Sequence, residues 1–324
     1  GSLDRGDGVR VTREVGVDLV ASEGEHQQLG HLACDRDRRA PPRAGQRLAV
    51  RREARVVVLA QGVGQLAVLA GLVAQQLGGV CAFIDADRSI DPGWARKLGV
   101  RLDQLLVSQP ENGNAALQIV ETLIHTGVID LVVVDSVAGL VPKVELAGEI
   151  GDAYLEQEVR MMDQALRRLV GPASRHSTTV LFTNQLRDKV GVVFGNPEET
   201  VGGRALRHFA SLRVDLRRSG AVTVGGRSVG TRIKASVVKS KIAPPWREAM
   251  LVLRFDEAAG PCPVHDLTTL GAGVGLVQVL AGGYSIDGGK ITGDEEKIRA
   301  WFRDQPLASA NLLADLRERL LPKA

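Results

Sequence analysis

The chain has 324 residues, 44% of them hydrophobic, which is enough for one large domain with a buried core and a small second domain. Its longest apolar stretch, residues 66–73, is far shorter than the roughly 20 residues that cross a bilayer, and no basic start leads into an apolar signal segment. The three cysteines form no CxxC pair, which excludes a disulfide framework and a four-cysteine zinc site and predicts a cytoplasmic protein. A formal net charge of +3 means that affinity for nucleic acid must come from local clusters of charge.

The first part of the chain differs in composition from the rest. Residues 1–55 contain eleven arginines and no lysine, and the first aromatic residue of the chain is Phe83. Periodicity there is weak apart from a possible strand at 15–20. We therefore leave residues 1–54 without a predicted fold. They are either a divergent or partly disordered arm or a segment that has lost its ancestral sequence, for example through a shifted reading frame.

From residue 55 onward, short β-branched runs alternate with helical stretches. Continuous apolar strands indicate a sheet that is covered on both faces, and their alternation with helices indicates parallel strands joined by crossover helices. This pattern predicts an α/β fold for residues 55–260, with a mainly parallel twisted sheet flanked by helices. The predicted strands are 55–59, 82–85, 131–135, 179–184, 212–217 and 231–239, and the predicted helices are 65–77, 113–126 and 154–170.

Residues 261–324 have a different texture, which predicts a small α+β C-terminal domain. Glycine pairs at Gly282-Gly283 and Gly288-Gly289 mark turns. Two stretches with helical periodicity follow, at 294–304 and 308–321.

One apolar strand ends in an acidic residue. The run Leu-Val-Val-Val at 131–134 leads into Asp135 and Ser136. Nucleoside triphosphatases place a carboxylate near magnesium at this point, at the carboxyl edge of a parallel sheet. A capping aspartate after any buried strand has the same pattern, so the motif by itself leaves both interpretations open.

Longer strings supply a context for this aspartate. They are AFIDAD (82–87), DP (91–92), ARKLGV (95–100), LLVSQP (105–110), VVDSVA (133–138), GEIGD (148–152), NQLR (184–187), VFGNPE (193–198), GG (202–203) and VVKSKI (237–242). In this order they resemble the bacterial RecA recombinase family over about 240 residues, less specifically after residue 260 and not at all before about residue 55. The resemblance implies a RecA-like P-loop NTPase core that uses ATP and Mg²⁺, binds single-stranded and double-stranded DNA, and assembles into homo-oligomeric filaments.

Members of this family bind DNA through two loops, which the resemblance places at 145–155 and 188–203. Phosphate contacts carry no sequence information, so we expect binding that tolerates different sequences and weakens with salt. A solvated face is the competing interpretation of the arginines. The implied residues are Arg160, Arg187 and Lys189 for phosphates, Gly202 and Gly203 for close backbone approach, and Leu155, Val190 and Phe194 for bases.

Other matches surround the nucleotide that the family binds. Asp87 stands in place of the glutamate that polarises the attacking water, and its side chain is shorter, which argues against efficient proton abstraction. Capping of a strand end and a solvated strand face are the competing interpretations of the glutamine and the lysines. The implied residues are Asp87 and Gln185 for catalysis and nucleotide sensing, Asp91 and Trp94 for adenine, Asp135 and Ser136 for nucleotide binding, and Lys239 and Lys241 for a neighbouring subunit's ATP.

The match fails at the phosphate loop. A loop of the form GxxxxGK[ST] needs a lysine for the β- and γ-phosphates and a hydroxyl for Mg²⁺. This chain has Gly62, Val63, Gly64 and Gln65, with Val63 in place of the lysine and Gly64 in place of the hydroxyl, and the loop before Gly62 is about four residues short. Loss of the lysine alone weakens ATP binding about tenfold to a hundredfold. The dipole at the start of the helix can still attract an anion. We therefore expect impaired ATP hydrolysis.

Three explanations for this loop stay open. The chain is a recombination paralogue that works in mixed or ATP-independent assemblies, a recombinase with a corrupted N-terminal part, or a normal recombinase with an unusual loop. The predicted function is homologous recombination and DNA repair through binding of single-stranded DNA and strand exchange. The alternative is a non-catalytic paralogue that regulates filaments of an intact recombinase. A motor of the same fold that acts on protein is a third possibility, against which the strings at 184–187 and 194–198 argue.

Overall fold

The structure, a computed structural model, describes residues 56–60, 64–150, 152–188, 198–256, 260–286, 289–293 and 295–320. The possible strand at 15–20 lies outside these ranges. The elements up to residue 209 are β1 (Val56–Ala60), α1 (Gly64–Gln76), β2 (Cys81–Asp85), α2 (Pro92–Lys97), β3 (Leu105–Ser108), α3 (Gly113–His125), β4 (Leu131–Asp135), α4 (Lys143–Leu146), α5 (Leu155–His176), β5 (Thr179–Asn184), β6 (Leu186–Asp188), β7 (Glu198–Thr200) and α6 (Gly203–Phe209). The later elements are β8 (Leu212–Val224), β9 (Arg227–Ser240), β10 (Glu248–Arg254), β11 (Gly260–Pro261), α7 (Pro263–Gly273), β12 (Val277–Leu280), β13 (Gly283–Ile286), β14 (Gly289–Thr292), α8 (Glu295–Asp304) and α9 (Pro306–Leu320).

The described residues form two compact units. The first comprises the described residues up to Arg217 together with Ala235–Ala249, and the second comprises Arg218–Lys234 and the described residues from Met250 onward. These limits differ from the sequence-based boundary between residues 260 and 261, which stays a prediction. None of the helices in the described ranges has the length and apolar character that a membrane span needs.

The first unit contains a mainly parallel sheet in the order β9-β8-β1-β5-β4-β2-β3. All pairings from β8 to β3 are parallel. The side chains of Val58, Ile84, Val134 and Phe182 are almost completely buried in one core with α3 and α5. Their burial explains the β-branched and aromatic runs, because a parallel sheet covered by helices excludes water from its strands. The predicted α/β fold is confirmed.

Helix α5 is longer than the sequence predicts. The predicted helix ends at residue 170, whereas α5 continues to His176 with Pro172 inside it. Proline lacks the N–H that a helix interior uses, but Leu169, Pro172 and Ala173 are buried, so packing of the last turns outweighs the lost hydrogen bond. The helix ends at Ser177, whose φ of 59° is left-handed.

Strands β8 and β9 are also longer than predicted. They meet at Gly225 and Gly226, whose φ values of 55° and 77° are those of a type I′ hairpin turn. This turn allows the ladder to continue beyond the predicted ends at 217 and 231. Sequence analysis did not predict β3, β10 or α7 as separate elements.

The second unit combines antiparallel strands with helices. The strands β12, β13 and β14 form a three-stranded antiparallel sheet, and β10 pairs with β11 in the same antiparallel manner. Buried side chains from these strands and from α7, α8 and α9 form a core that includes Val252, Cys262, Leu267, Phe302 and Leu316. The predicted α+β composition of the C-terminal part is therefore confirmed.

Candidate nucleotide and DNA site

The carboxyl ends of the four central strands meet at one edge of the sheet. The register pairs Ala60 of β1 with Asn184 of β5, and Asp85 of β2 with Asp135 of β4. Open α/β sheets bind ligands at the carboxyl ends of their strands. The polar residues of this edge therefore define the candidate site.

Asp135 is buried at the end of β4 beside a hydroxyl from β5. Oγ1 of Thr183 donates a hydrogen bond to Oδ1 of Asp135 at 2.5 Å. Burial raises the pKa of the Asp135 carboxyl above its ordinary value; the Thr183 hydrogen bond opposes this shift, and the carboxylates of Asp87 and Asp85 add to it. Sequence analysis missed Thr183. A hydroxyl residue near the end of the strand next to the acidic strand is the signal that could have identified it.

The raised pKa of Asp135 makes a prediction about stability. The pKa of Asp135 is higher in the folded state than in the unfolded state, so the folded state binds this proton more tightly. The stability that this proton contributes is therefore lost as the pH rises from about 4, the ordinary value, through the raised pKa. Asp135→Asn removes this titration but keeps an oxygen that can accept from Thr183. We expect the variant to be more stable than the wild type at pH 7, by about 1.4 kcal/mol for each unit by which the pKa is raised. Denaturant unfolding at a series of pH values measures the difference.

The control for this prediction is Asp103→Asn, which removes a negative charge at an exposed position. We expect its unfolding profile to follow that of the wild type. If Asp135→Asn also follows the wild type between pH 4 and pH 7, burial does not disfavour the ionised carboxylate of Asp135.

Asp85 is completely buried, and its carboxylate is hydrogen-bonded to three neighbouring groups. Its carboxylate accepts hydrogen bonds from the backbone N–H of Ser89 at 2.9 Å, from that of Ile90 at 3.3 Å, and from Nε2 of Gln109 at 2.9 Å. These bonds fix the turn after β2 and the end of β3. The role of Asp85 is therefore structural.

Asp87 lies beside Asp135, although its own side chain is exposed. Its backbone N–H donates to the carbonyl oxygen of Asp135 at 3.2 Å. Its Oδ1 packs directly over Gly139, where any Cβ would overlap it. The chain thus places a carboxylate at the candidate site, as the predicted water-polarising role of Asp87 requires.

The residues at this edge fit one side of a magnesium nucleotide. Oγ of Ser136 is buried and has no hydrogen-bond partner among the described residues, so it is available to an ion or its water shell. No three His, Cys, Asp or Glu side chains of the described residues are grouped to hold a metal. Asp135 and Ser136 fit the magnesium side.

The phosphate side of the site lacks the usual groups. Gly62 and Val63 lie outside the described residues, and Gly64 and Gln65 are described only by their backbone, as the first residues of α1. No lysine or hydroxyl residue occurs among these four residues. The residues present there do not fit the phosphates as a GK[ST] loop does.

Asp91 caps a short helix. Its Oδ1 accepts hydrogen bonds from the backbone N–H groups of Gly93 at 2.8 Å and Trp94 at 3.1 Å, which makes it the N-cap of α2. Trp94 is half-buried. The carboxylate predicted to contact adenine therefore already satisfies two backbone donors.

Lys239 and Lys241 contact the end of helix α6. Nζ of Lys239 donates to the carbonyl oxygens of Arg207 at 2.6 Å and His208 at 2.8 Å. Nζ of Lys241 donates to the carbonyl oxygen of Phe209 at 3.4 Å. Burial lowers the pKa of Lys239, and the nearby cations of Lys241 and Arg213 lower it further. Cations at this point satisfy the free carbonyls of a helix C-terminus.

These lysines lie at the opposite end of β1 from the candidate site. The backbone N–H of Lys241 donates to the carbonyl oxygen of Ser211. The backbone N–H of Ser211 donates to the carbonyl oxygen of Val56, the first residue of β1. The candidate site begins after Ala60, at the other end of β1, roughly 13 Å away at the rise of a strand. The two lysines therefore do not face this chain's own phosphate loop.

The first predicted DNA loop carries exposed apolar side chains. Leu155, the first residue of α5, is 71% exposed, and Ile150 is fully exposed. Sequence analysis predicted base contacts for Leu155 and missed Ile150. The hydroxyl of Tyr154 donates to Oδ2 of Asp152 at 2.8 Å, and this bond raises the pKa of the tyrosine. The predicted loop starts within α4, which ends at Leu146.

Secondary-structure elements lie at both ends of the second predicted DNA loop. Strands β6 and β7 form an antiparallel ladder that pairs Arg187 with Glu199, and α6 begins at Gly203. Regular secondary structure therefore extends into both ends of the segment 188–203, where the backbone pairing satisfies donors and acceptors. The side chain of Arg187 lies outside the description. So do three other predicted DNA contacts, Lys189, Val190 and Phe194.

Asn184 joins the candidate site to the far end of this loop. Its Nδ2 donates to the carbonyl oxygen of Val201 at 2.8 Å, and its Oδ1 accepts from the backbone N–H of Gln185 at 2.8 Å. Asn184 is completely buried, whereas Gln185 is exposed. Sequence analysis gave a role to Gln185 and missed Asn184, which links two segments far apart in sequence.

Gly202 and Gly203 make a turn that only glycine accommodates easily. Their φ values are 85° and 70°. A Cβ at Gly202 would lie 3.0 Å from Cγ1 of Val137, and one at Gly203 would lie 3.0 Å from Cγ2 of Val159. The backbone N–H of Gly202 donates to Oε1 of Glu158 on α5 at 3.0 Å. The amide that was predicted to approach DNA phosphate thus contacts a carboxylate.

The arginines of α5 are also paired with carboxylates. Arg160 contacts Glu156 at 3.2 Å, and Arg167 forms an ion pair with Asp163. Two hydrogen bonds, of 3.0 Å and 2.5 Å, connect Arg168 with Glu121 of α3. The predicted phosphate contact Arg160 is therefore a partnered cation.

A mainly parallel sheet with an acidic strand end and a buried hydroxyl at its carboxyl edge is the arrangement of the α/β nucleoside triphosphatase fold class. The family model of the RecA N-terminal domain matches residues 59–259. The chain is 45% identical to Protein RecA of Acinetobacter baylyi over 250 residues, which cover 77% of the chain and 71% of that relative. It is 46% identical to Protein RecA 1 of Myxococcus xanthus over 232 residues, 72% of the chain and 67% of that relative. The chain belongs to the RecA family, which confirms the predicted family and its role in recombination and repair.

Proposed function

We propose that the chain binds single-stranded DNA through the two loops and promotes its pairing and exchange with duplex DNA in a homo-oligomeric filament. ATP and Mg²⁺ bind at the candidate site, but hydrolysis is impaired. The cytoplasm is the proposed location.

The observation that carries this proposal is the link between the candidate site and the second loop. Asn184 ends β5 next to the acidic edge and bonds to Val201 at the far end of the loop. Gln185 follows directly and is exposed at the near end. A ligand that moves the end of β5 can therefore change both ends of the loop, which supports coupling between nucleotide and DNA.

The position of Lys239 and Lys241 supports a filament. Because they lie beside Val56, at the amino end of β1, a phosphate that they bind belongs to another copy rather than to this chain. They are held on the carbonyls of α6, which a phosphate would have to replace. We propose that this exchange of partners accompanies contact between subunits.

An asymmetry between the lysines for a neighbour's phosphate and the phosphate loop supports a different class of function. The chain keeps the two lysines that suit a neighbour's phosphate but lacks the lysine and hydroxyl for its own. A subunit of this kind can complete the site of an intact recombinase while contributing no turnover itself. This supports the alternative of a non-catalytic paralogue that regulates filaments.

The test of the proposed function is binding of a labelled single-stranded oligonucleotide, measured by fluorescence anisotropy over a salt series with and without ATP and Mg²⁺. We expect affinity to fall steeply with salt, because phosphate contacts release counterions. The affinity is expected to change less than about tenfold with ATP, because the phosphate loop lacks its lysine. Arg187→Ala combined with Lys189→Ala should weaken binding and reduce the salt slope by about 0.7 for each lost contact.

Lys290→Ala serves as the matched control, because Lys290 is an exposed cation on β14 and belongs to neither of the two predicted loop segments. It should leave the salt slope unchanged. Weak binding that does not depend on salt would contradict the recombinase function and favour the filament regulator. A gain of tenfold or more with ATP would show that the unusual loop still works.

A further inference from the structure

Three carboxylates of helix α5 contact cationic or backbone N–H groups of the kind that bind phosphates. Glu156 pairs with Arg160, Asp163 pairs with Arg167, and Glu158 accepts from the backbone N–H of Gly202. The first two pairs lie within the helix, but Glu158 and Gly202 are 44 residues apart in sequence. Helix stabilisation alone therefore does not account for all three contacts.

The first two pairs form one exposed stripe. Residues 156, 160, 163 and 167 follow the i, i+4, i+7, i+11 spacing, which places them on one side of an α-helix. Glu156 and Arg160 are each 80% exposed, Arg167 is 66% exposed, and Asp163 is 34% exposed. A DNA strand can therefore reach these arginines. The stripe carries two positive and two negative charges, so it has no net attraction for phosphates.

The third contact occupies a backbone donor. Oε1 of Glu158 lies 3.0 Å from the amide nitrogen of Gly202, the distance of an ordinary hydrogen bond. Carboxylates and phosphates compete for the same donors because both are anionic oxygen acceptors. A phosphate can bind this amide only after Glu158 moves away.

We propose that Glu156, Glu158 and Asp163 are internal counter-ions that single-stranded DNA must displace, so that they reduce the affinity of this chain for DNA. The inference rests on the proposed function, because it assigns these residues to the same DNA site. Exposed ion pairs are individually weak, so the carboxylates reduce binding without abolishing it.

The test compares the wild type with Glu156→Gln combined with Asp163→Asn in the anisotropy assay. The variant should bind the oligonucleotide about fivefold or more tightly near physiological salt, because it loses two ion pairs that compete with DNA and two charges that repel phosphates. Its salt slope should steepen by up to about 1.4, or about 0.7 for each arginine released to a phosphate. Thermal unfolding of both proteins establishes that α5 stays folded.

Glu121→Gln is the matched control. It also removes one carboxylate from an arginine of α5, but its partner Arg168 faces α3 and lies outside the stripe. We expect less than about a twofold change in affinity. An equal gain in the control would overturn the inference, because bulk charge would then explain the effect.

Glu158 is tested separately by two substitutions. Glu158→Gln keeps an oxygen that can accept from Gly202 but lacks the charge, and Glu158→Ala removes the acceptor. Both should tighten DNA binding, the alanine variant more if release of the amide matters. Unchanged affinity in all of these variants, with salt-dependent binding by the wild type, would refute the inference and leave the proposed function intact. Failure of the wild type and every variant to bind would refute the proposed function and the inference with it.

Discussion

Insertion of about four residues before Gly62, combined with Val63→Lys and Gly64→Thr, is expected to tighten ATP binding at least about tenfold. The lysine supplies a charge-assisted hydrogen bond of about 1.5–3 kcal/mol to the phosphates, and the threonine supplies a hydroxyl for magnesium. Asp135 and the Ser136 hydroxyl, which has no hydrogen-bond partner among the described residues, already occupy the magnesium side of the site. Titration with a fluorescent ATP analogue, with and without Mg²⁺, measures the gain.

Two controls separate the charge of the lysine from other effects of the change. Val63→Met, with the same insertion and threonine, gives a side chain of similar length without charge. Val73→Lys adds the same charge on the exposed side of α1, and we expect no gain from it. If the wild type binds ATP weakly and the repaired loop binds it no better, the edge at Asp135 is not a nucleotide site.

The repaired loop also distinguishes the three explanations of this sequence. Recovery of DNA-dependent turnover after repair would indicate a family recombinase whose phosphate loop is its main defect. Tight ATP binding without turnover would place the remaining defect at Asp87, whose side chain is shorter than a glutamate's. Tight ATP binding by the wild type itself would support the normal recombinase with an unusual loop.

The sheet could be predicted from sequence because its strands are buried on both faces. Strands 131–135 and 179–184 each contain an apolar run and end at a polar residue, and both were predicted with the limits that the structure has. The end of α5 could not be predicted, because Gly171 and Pro172 are typical of a helix end, while the burial of Pro172 depends on tertiary packing. The local sequence pattern therefore predicts the limits of these strands better than it predicts the end of the helix.

The candidate site could be predicted only in its residue types. Strand ends identify Asp135, and a family resemblance identifies Gln185 and the glycine turn. The contacts of Thr183 with Asp135 and of Glu158 with Gly202 join residues 48 and 44 positions apart, and no local pattern encodes such pairs. The pairing of Arg160 with Glu156 is different, because their i, i+4 spacing on one helix is a local pattern that favours such a pair.

Leu166→Ala is expected to lower the free energy of unfolding by about 2–5 kcal/mol. Leu166 lies on α5, and its side chain has no exposed surface in the core that α5 shares with α3 and the sheet. Truncation removes apolar contacts and leaves a cavity that the packed neighbours fill only in part. Denaturant unfolding at pH 7 measures the loss, and the same variant should bind DNA normally under conditions in which it is folded.

Leu155→Ala makes the same change on the same helix and should have the opposite profile. Because 71% of Leu155 is exposed, its truncation should change the free energy of unfolding by no more than about 0.5 kcal/mol. It should weaken binding of single-stranded DNA, since an apolar side chain that costs little to remove from the fold is available to rest against bases. If Leu155→Ala destabilises the protein as much as Leu166→Ala, this leucine belongs to the core. If it affects neither stability nor DNA binding, the first loop does not contact bases through Leu155.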